Sequence, residues 1–452
     1  MAEGKNVNTR DMTRGRALPH LWAFALPVLL GNWLQLMYNA VDAMLAGQFI
    51  GKEALAAEGI AAPVMNLVIL GVSGLCTGAG VLMSEHFGAG RLPALRRTLG
   101  ALMRFGLIAS LALVALGWVF SPHLLALLNC PAEIREIAAL YLRITFLGAP
   151  FTCMYNALAA GLKSAGNTRA PLLFLTCSAL LNAGLDLFFL GVLHFGVVCS
   201  AVTTVVAEAV SAVLAFTYTR RRVAELCPAA GDLRWDAATT RKLFSYGAPA
   251  ALQQAIQPIG KVLIQGQVNA LGVSAIAAYN AVTRMDDFAC IPEQGIAAAV
   301  STWIAQNRGA EKPERVLKGF RAGLMMEVAY GVFIALFAYL LRGPLLRLFV
   351  HAEDAVTVAP IGMDYLSLMA WLYVLPALTN CFQGYYRGTA RFRVTVMGTL
   401  IQVTLRFAFT CLLAPVMGIR GIAAACGIGW SVMLAVIVPY YFVLKRRSRQ
   451  NA

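Results

Sequence analysis

Long apolar blocks run through this chain from end to end, and they limit its fold more than any other sequence feature. Hydrophobic residues make up 59% of the 452 residues and charged residues 13%, whereas a soluble domain averages about 45–50% apolar and about 25% charged residues. So few charges cannot cover the surface of a soluble protein of this length. Because the apolar residues come in blocks and do not alternate as in a transmembrane barrel, we expect an all-α, polytopic membrane protein.

The blocks have the length that membrane helices need. About 20 mostly apolar residues cross the hydrocarbon core as a helix, and on that spacing the sequence predicts twelve spans, at 21–47, 57–85, 98–120, 136–162, 170–193, 197–219, 242–269, 275–304, 318–341, 358–385, 393–414 and 420–444. The longest polar segment separates six spans from six. The predicted domains are a cytoplasmic N-tail (1–20), an N-lobe (21–219), a cytoplasmic linker (220–241), a C-lobe (242–444) and a cytoplasmic C-tail (445–452).

The two halves of the chain repeat each other. Five short motifs recur at an offset of 221 to 223 residues, so that Gly88-Ala89 recurs as Gly309-Ala310 and Gly196-Val197 as Gly418-Ile419. Since each half has six spans, both halves enter the membrane in the same orientation, which is a parallel repeat about an axis along the membrane normal. Many secondary transporters are built this way, so a cleft between the two lobes is the expected substrate path.

Positive charges gather on one predicted side of the membrane. With the N-terminus inside, 28 Lys and Arg residues fall in cytoplasmic segments and 5 in segments on the opposite side. The positive-inside rule therefore predicts that both termini are cytoplasmic. The same rule accounts for the net charge of +15, so we do not expect nucleic-acid binding.

Three spans of the N-lobe carry polar residues at similar depth. These are Asp42 in span 1, Asn182 and Asp186 one turn apart on one face of span 5, and Thr203 and Thr204 in span 6. Ionisable groups at membrane depth cost about 2.5–3.5 kcal/mol on insertion scales, so each one is a functional candidate. Two carboxylates in low dielectric can hold a proton, and the oxygen donors of Asp42, Asn182 and Asp186 could equally hold Na⁺. The alternative is a structural role in which Asp42 and Asp186 bond to neighbouring helices and never titrate.

The C-lobe carries a different set of charges. Lys261 of span 7 is expected near the depth of Asp286, Asp287 and Glu293 of span 8. A buried lysine beside carboxylates is more typical of a structural ion pair than of a proton relay. The isolated charges in the middle of other spans, each of which could contact substrate or bond between helices, are Glu208, Glu327 and Arg406.

Motifs for ATP use and for catalysis do not occur in the sequence. There is no G-x-x-x-x-G-K-[ST] motif, so an ion gradient is the expected energy source. There is also no H-E-x-x-H or G-x-S-x-G motif, and the five histidines lie near span ends or in loops, so we expect neither an enzyme nor a cofactor. The ten cysteines are scattered without a C-x-x-C pair, which favours helix packing over disulfides or a metal site.

Several motifs resemble those of the multidrug and toxic compound extrusion (MATE) family. In the first half they are DAMLAGQFIGKEALAA (42–57), EHFGAG (85–90), GLKSAGNTR (161–169) and NAGLD (182–186), and in the second half IPEQG (291–295), QNRGA (306–310) and GYYRG (384–388). The likeness covers about 20–445. It implies two six-helix bundles that form a V-shaped cleft, with alternating access and exchange of H⁺ or Na⁺ for organic, often cationic, compounds.

The resemblance also implies a cation-coupling site in the N-lobe. Asp42, Asn182, Asp186 and Thr204 match the family's positions, and Asn156 is a weaker match. Other branches place a carboxylate on span 7, where this chain offers Gln253, Gln254 and Gln257; this departure favours coupling in the N-lobe. The candidates for lining the substrate cleft are Tyr38, Asn39, Asn156, Gln257, Lys261 and Glu293.

We therefore predict an antiporter, driven by H⁺ or Na⁺, that exports organic, cationic or amphipathic compounds. It is expected as a monomer in the plasma (inner) membrane of a prokaryote. The alternative is a lipid-linked oligosaccharide flippase of the same broad superfamily. Such flippases tend to have a basic central cavity and extra spans, whereas here four positive charges lie within spans and the count stops at twelve.

Overall fold

The computed structural model describes residues 9–49, 52–127, 130–347 and 355–450, and within these ranges the chain forms helices and no strands. The outer parts of the predicted tails (1–8 and 451–452) lie outside the described residues. So does the Ile50-Gly51 step of the first MATE-like motif.

The first half of the chain forms six long helices. Their bounds are α1 Ala17–Phe49, α2 Lys52–Gly88, α3 Leu92–Leu127, α4 Ala132–Ser164, α5 Arg169–Asp186 and α6 Val197–Arg222. A turn of π-helix, Leu187–Val192, continues α5. The reversal after α4 depends on Gly166, which has a φ of +80° and lies so close to Arg10 that an added Cβ would be 2.4 Å from the Arg10 carbonyl oxygen. Only glycine therefore fits this turn between α4 and α5.

The segment between α6 and α7 is folded onto α3. It contains two short helical turns, Ala224–Leu226 and Ala230–Leu233. Arg104 of α3 donates a hydrogen bond from Nη1 to the Leu233 carbonyl at 2.7 Å, and its guanidinium lies 4.8 Å from the ring centre of Trp235. The segment predicted as a linker is therefore attached to the first half of the chain along part of its length.

The second half forms long helices and two shorter pieces. Their bounds are α7 Ala237–Asn269, α8 Val273–Gly309, α9 Pro313–Leu340, α10 Arg342–Arg347, α11 Ala355–Leu372, α12 Val374–Gly388, α13 Phe392–Met417 and α14 Ile419–Gln450. Span 10 was predicted as one helix at 358–385, but α11 and α12 meet there at an angle of 43°. Pro376 accounts for the bend, because a proline ring clashes with the carbonyl four residues earlier, at Leu372, in a continuous helix.

Contacts divide the described chain into two compact units. The first unit consists mainly of Leu26–Ala251, and the second mainly of Leu252–Arg308 and the residues from Lys312 onward. Gly15–Ala25 belongs to the second unit and Gly309–Glu311 to the first. The division thus falls inside α1 and α7, and it does not follow the predicted 220–241 segment.

Most of the long helices are apolar enough to cross a membrane. Among the described residues, nine helices pass a test of length and composition, and ten spans result when the bent α11–α12 pair counts as one. The two remaining long helices are α7, which carries several glutamines and Lys261, and α8, which carries Arg284, two aspartates and Glu293. Their polar residues, and not their length, keep them below the hydropathy limit.

Apolar residues cover the outside of the helices as well as the inside. Val262, Leu340, Leu412 and Val416 are exposed over 71%, 72%, 66% and 84% of their surface. Water would penalise such exposure, whereas lipid chains solvate these side chains well. The surface therefore agrees with a protein surrounded by bilayer.

Candidate functional site

Helix α5 carries an amide and a carboxylate into the interior of the first unit. Asn182 and Asp186 are separated by one turn and are 1% and 0% exposed. Ser178, one turn before Asn182, donates a hydrogen bond to the Ala207 carbonyl of α6 at 2.7 Å. This bond holds the polar face of α5 against α6.

Helix α6 supplies hydroxyl groups to that face. The Thr203 hydroxyl contacts Oδ1 of Asp186 and also lies 2.8 Å from the Ser200 carbonyl oxygen. Asn182 donates from Nδ2 towards the hydroxyl oxygens of Thr203 and Thr204, at 3.5 and 3.4 Å. The Thr203 hydroxyl thus contacts the carboxylate, and the coupling role of Thr204 that the family resemblance implies stays a prediction.

Helix α1 completes the group with a second carboxyl. Asp42 and Asp186 lie within hydrogen-bonding reach of each other, and the hydroxyl of Tyr38, one turn before Asp42, lies near that of Thr204. Oδ2 of Asp186 is buried and receives no donor from the described residues. Two ionised carboxylates are both acceptors, so a hydrogen bond between Asp42 and Asp186 requires a proton on one of them.

A third carboxyl lies one turn further along α6. Glu208 lies near Thr152 of α4, and its Oε2 lies so close to Gly148 that a Cβ there would be 2.0 Å away. The sequence interpretation treated Glu208 as isolated. A spacing of four residues could have indicated this group from the sequence. It places Glu208 on the same face of α6 as Thr204, and Thr152 on the same face of α4 as Gly148.

Other predicted cleft residues of the first half do not join this group. Asn156 donates from Nδ2 to the Thr152 carbonyl of its own helix at 2.8 Å. Asn39 is exposed and accepts a bond from Gln35 at 3.4 Å. Their roles as substrate-lining residues stay predictions.

In the second unit the predicted charges divide between separate partners. Lys261 forms an ion pair with Asp287 at 2.7 Å, with both side chains about half exposed. The Tyr373 hydroxyl donates to Asp286, whereas Glu293 accepts a bond from Asn380 at 3.1 Å. Gln257 is exposed. Lys261 and Glu293, expected at similar depth, therefore have different partners, which agrees with a structural ion pair for Lys261.

The described part of the chain contains no group of three His, Cys, Asp or Glu side chains arranged to hold a metal ion. The oxygen donors of the first unit are two carboxyls, an amide and hydroxyls. Such a set can bind a proton, and its oxygens are of the type that Na⁺ prefers.

Comparison with known proteins gives a consistent result over both halves of the chain. A family model described as MatE matches residues 27–188 and 249–412. The chain is 26% identical over 432 residues to the probable multidrug resistance protein YpnP of Bacillus subtilis, which covers 95% of this chain and 96% of that protein. It is 28% identical over 372 residues to an FAD transporter of Shewanella oneidensis, covering 80% and 78%.

A solved structure shares the fold over the full length. A MOP superfamily transporter from Pyrococcus furiosus, whose binding pocket is described as having reverse polarity, superimposes with a TM-score of 0.89 at 20% identity and covers 100% of both chains. Structures of MATE transporters have twelve membrane helices in two lobes, so the predicted all-α fold with twelve spans is confirmed. Helices α7 and α8 thus count among the spans despite their polar residues.

The family model, the relatives and the fold lead to one assignment. Members of this family are transporters and not enzymes, as the sequence predicted. The chain belongs to the MatE family of multidrug efflux transporters, which are multi-pass membrane proteins.

Proposed function

We propose that the protein is a proton-driven antiporter that exports organic cations and amphipathic compounds, and that Asp42 and Asp186 hold the coupling proton. The observation that carries this proposal is that these two carboxyl groups lie within hydrogen-bonding reach of each other, with Asp186 fully buried. Both carboxyl groups are acceptors when ionised, and two negative charges within hydrogen-bonding reach of each other oppose ionisation of both groups. A single proton shared between the two carboxyl groups supplies a donor and reduces the repulsion between them.

The neighbouring hydroxyl supports exchange of that proton. Thr203 has one hydroxyl proton and two acceptors in reach, Asp186 and the Ser200 carbonyl. When Asp186 is ionised, Thr203 donates to it. When Asp186 is protonated, the acid donates to the Thr203 oxygen and the hydroxyl turns to Ser200. Both charge states therefore keep a hydrogen bond between Asp186 and Thr203, so the change of charge does not cost that bond.

In this mechanism, protonation from outside lowers the charge of the pair from −2 to −1 and changes the packing of α1 against α5 and α6, which expels the substrate. Release of the proton inward resets the site. A tenfold ion gradient supplies about 1.4 kcal/mol, and a membrane potential adds about 2.3 kcal/mol per charge per 100 mV. This is enough to drive accumulation of substrate outside. The excess of Lys and Arg on one predicted side supports cytoplasmic termini.

The relatives support two classes of cargo. YpnP carries a multidrug resistance name, which favours amphipathic cations as substrates. The Shewanella oneidensis relative is an FAD transporter, so FAD is the second cargo to test. A lipid-linked substrate, the alternative from sequence, is the third.

Transport by the purified protein in liposomes tests the proposal. An imposed pH gradient should drive ethidium movement, and a Na⁺ gradient should not. Asp42→Asn and Asp186→Asn should each lower the initial rate at least about tenfold, which corresponds to about 1.4 kcal/mol. Glu136→Gln changes an exposed carboxylate of the same unit and should leave the rate unchanged.

Three results would contradict parts of the proposal. Normal rates in both aspartate variants would make the carboxyl pair structural. Transport driven by the Na⁺ gradient alone would replace the proton with Na⁺. Movement of FAD or of a lipid-linked oligosaccharide, without movement of ethidium, would replace the cargo and leave the coupling site in place.

A further inference from the structure

Three helices of the second unit enclose a second pair of buried acids. Glu293 lies on α8 and Glu327 on α9, and both are 0% exposed. Glu327 lies within electrostatic range of Glu293 and of Arg387 on α12. None of these three residues belongs to the coupling site proposed above, and Glu327 and Arg387 have no assigned role.

The hydrogen bonds of this pair are incomplete. Oε2 of Glu293 accepts a bond from Asn380 at 3.1 Å. Within the described residues, Oε1 of Glu293 and both carboxyl oxygens of Glu327 are buried and have no donor. Tyr330, which lies nearby, donates its hydroxyl to the Ala289 carbonyl at 2.8 Å. An ionised carboxylate normally collects several donors when it is buried, so two ionised groups do not fit here.

Close helix packing flanks Glu327 on α9. Gly323 and Gly331 lie one turn before and one turn after Glu327, on the same face of α9. A Cβ on Gly323 would be 2.2 Å from the Val300 side chain of α8, and a Cβ on Gly331 would be 3.1 Å from Cβ of Ala377 on α12. Glu327 therefore projects into a seam in which the three helices touch.

The charges around the seam balance when Glu293 and Glu327 together hold one proton. The other titratable groups near the pair are Cys290 on α8, Tyr330 on α9 and Cys381 on α12, all of which are neutral as thiols or as a phenol. Arg387 supplies one positive charge. It lies near Glu327, but no salt bridge joins the two residues, and its buried Nε has no acceptor among the described residues. One proton on the pair makes the sum of Glu293, Glu327 and Arg387 zero.

We propose that Glu293 and Glu327 hold a single proton between them beside Arg387, and that the seam of α8, α9 and α12 is a second proton-binding site of this protein. The proposal goes beyond the antiport mechanism, and its test does not depend on transport. It assigns the two acids of the second unit to one site with one proton, whereas the sequence treated Glu293 as a cleft residue and Glu327 as isolated.

Infrared spectroscopy of the full-length protein in nanodiscs tests this assignment, because a protonated carboxyl group has its own carbonyl stretching band. At neutral pH, Glu293→Gln and Glu327→Gln should each remove the band of one carboxyl group relative to wild type. Each variant keeps one glutamate whose negative charge balances that of Arg387, so both variants should fold. Glu314→Gln, at an exposed position of α9, should leave the band unchanged.

Arg387→Gln separates one shared proton from two independent ones. Without the cation, neutrality requires a proton on both acids, so the band of the pair should double. No increase in Arg387→Gln, combined with loss of one carboxyl band in each glutamate variant, would mean that both acids are protonated in the wild type and would overturn the proposal. An unchanged band in both glutamate variants would mean that the pair holds no proton.

The same samples test for Na⁺. The band should be equal in sodium chloride and in choline chloride at the same concentration. A band that disappears when sodium is added would make the seam a sodium site. These readouts are independent of Asp42 and Asp186, so a failure of the antiport proposal would not be mistaken for a failure here.

Discussion

The two units each bury a pair of carboxyl groups, and they surround these pairs in different ways. In the first unit, Asp186 has the Thr203 hydroxyl and the Asn182 amide beside it. In the second unit, Glu327 has no donor among the described residues. In our proposals, the first pair gains or loses a proton while its neighbours reorient, whereas the second pair depends on a fixed charge balance with Arg387. Depth in the membrane alone therefore does not identify a coupling site; the donors around the carboxyl decide how readily its charge can change.

The internal repeat shows that the two pairs are not copies of each other. At the repeat offset of 221 to 222 residues, Glu293 corresponds to the Gly71-Val72 step and Glu327 to the Phe105-Gly106 step. These residues line an apolar cavity of about 280 Å³ in the first unit, among α2, α3 and α4. The location that holds acids in one unit is thus an apolar space in the other. The halves share a helix plan, but each has its buried acids on different helices.

The largest loss of stability should come from removing both acids of the second unit. Glu293→Gln together with Glu327→Gln leaves Arg387 without a buried counter-charge. A buried charge left without its counter-charge costs about 3–5 kcal/mol, and we expect about 3 kcal/mol here because Arg387 is only partly buried. Each single variant should cost less than about 1 kcal/mol, as measured by thermal unfolding in detergent. Additive losses from the single variants would show that the acids do not share one charge balance.

The next effect should come from the donor that distinguishes the first pair. Thr203→Val removes the hydroxyl that contacts Asp186, and a hydrogen bond to a charged group is worth about 1.5–3 kcal/mol. The initial rate of proton-driven ethidium transport should therefore fall about tenfold or more. Thr219→Val is the control, because Thr219 donates only to the Ala215 carbonyl of the same helix, at 2.8 Å. Equal rates in the two valine variants would remove Thr203 from the mechanism.

A smaller effect should follow from disturbing the packing around Glu327. Gly323→Ala would force a methyl group against Val300, and overpacking of this kind costs about 1–3 kcal/mol. Gly266→Ala in the same unit has open space around it and should leave the unfolding temperature unchanged or slightly higher. A Gly323→Ala protein as stable as the Gly266→Ala protein would mean that the seam has room for other groups.

The smallest effect should come from a carboxylate outside the membrane, which serves as a reference for both pairs. The Thr239 hydroxyl and the backbone N–H groups of Ala238 and Thr239 donate to Asp236 before α7, and these bonds lower the pKa of Asp236. A lowered pKa stabilises the folded protein above the unfolded value of about 3.9, and this contribution is lost as the pH falls through the folded pKa.

Asp236→Ala should therefore lower the unfolding temperature slightly at neutral pH, and the difference from wild type should disappear in acid. Asp236→Asn keeps an N-cap side chain without a titrating group, so it should retain most of the stability at neutral pH. A loss as large in Asp236→Asn as in Asp236→Ala would mean that the charge, and not the cap, is the important contribution.

Much of the fold follows from local sequence patterns. The lengths of the apolar blocks predicted the twelve spans, and the spacing of Asn182 and Asp186 predicted that they share a helix face. The choice between Thr203 and Thr204 was beyond such reasoning, because adjacent helical residues point about 100° apart and depth alone does not say which of them faces α5. The bend at Tyr373 was missed, although Pro376 provides a local signal for it.

The grouping of the second unit's acids could not be read from one sequence. Glu293, Glu327 and Arg387 lie on α8, α9 and α12, and their proximity depends on which helix faces meet in three dimensions. Lys261 and Glu293 were expected near each other because their predicted depths agreed. Depth, however, gives the position of a residue along the membrane normal and not its direction around the helix axis. Glycine spacing on α9 gave a partial clue, since Gly323 and Gly331 mark the face that approaches other helices.

The tight contact at Gly323 and Gly331 has a kinetic consequence. Because Glu327 is 0% exposed, a proton held there should be replaced by deuterium only when α9 separates from α8 and α12. The rate at which the carboxyl band shifts in D₂O would then measure how often the seam of α8, α9 and α12 opens. The time for which a single proton stays on the carboxyl group would then measure the internal motions of the resting transporter.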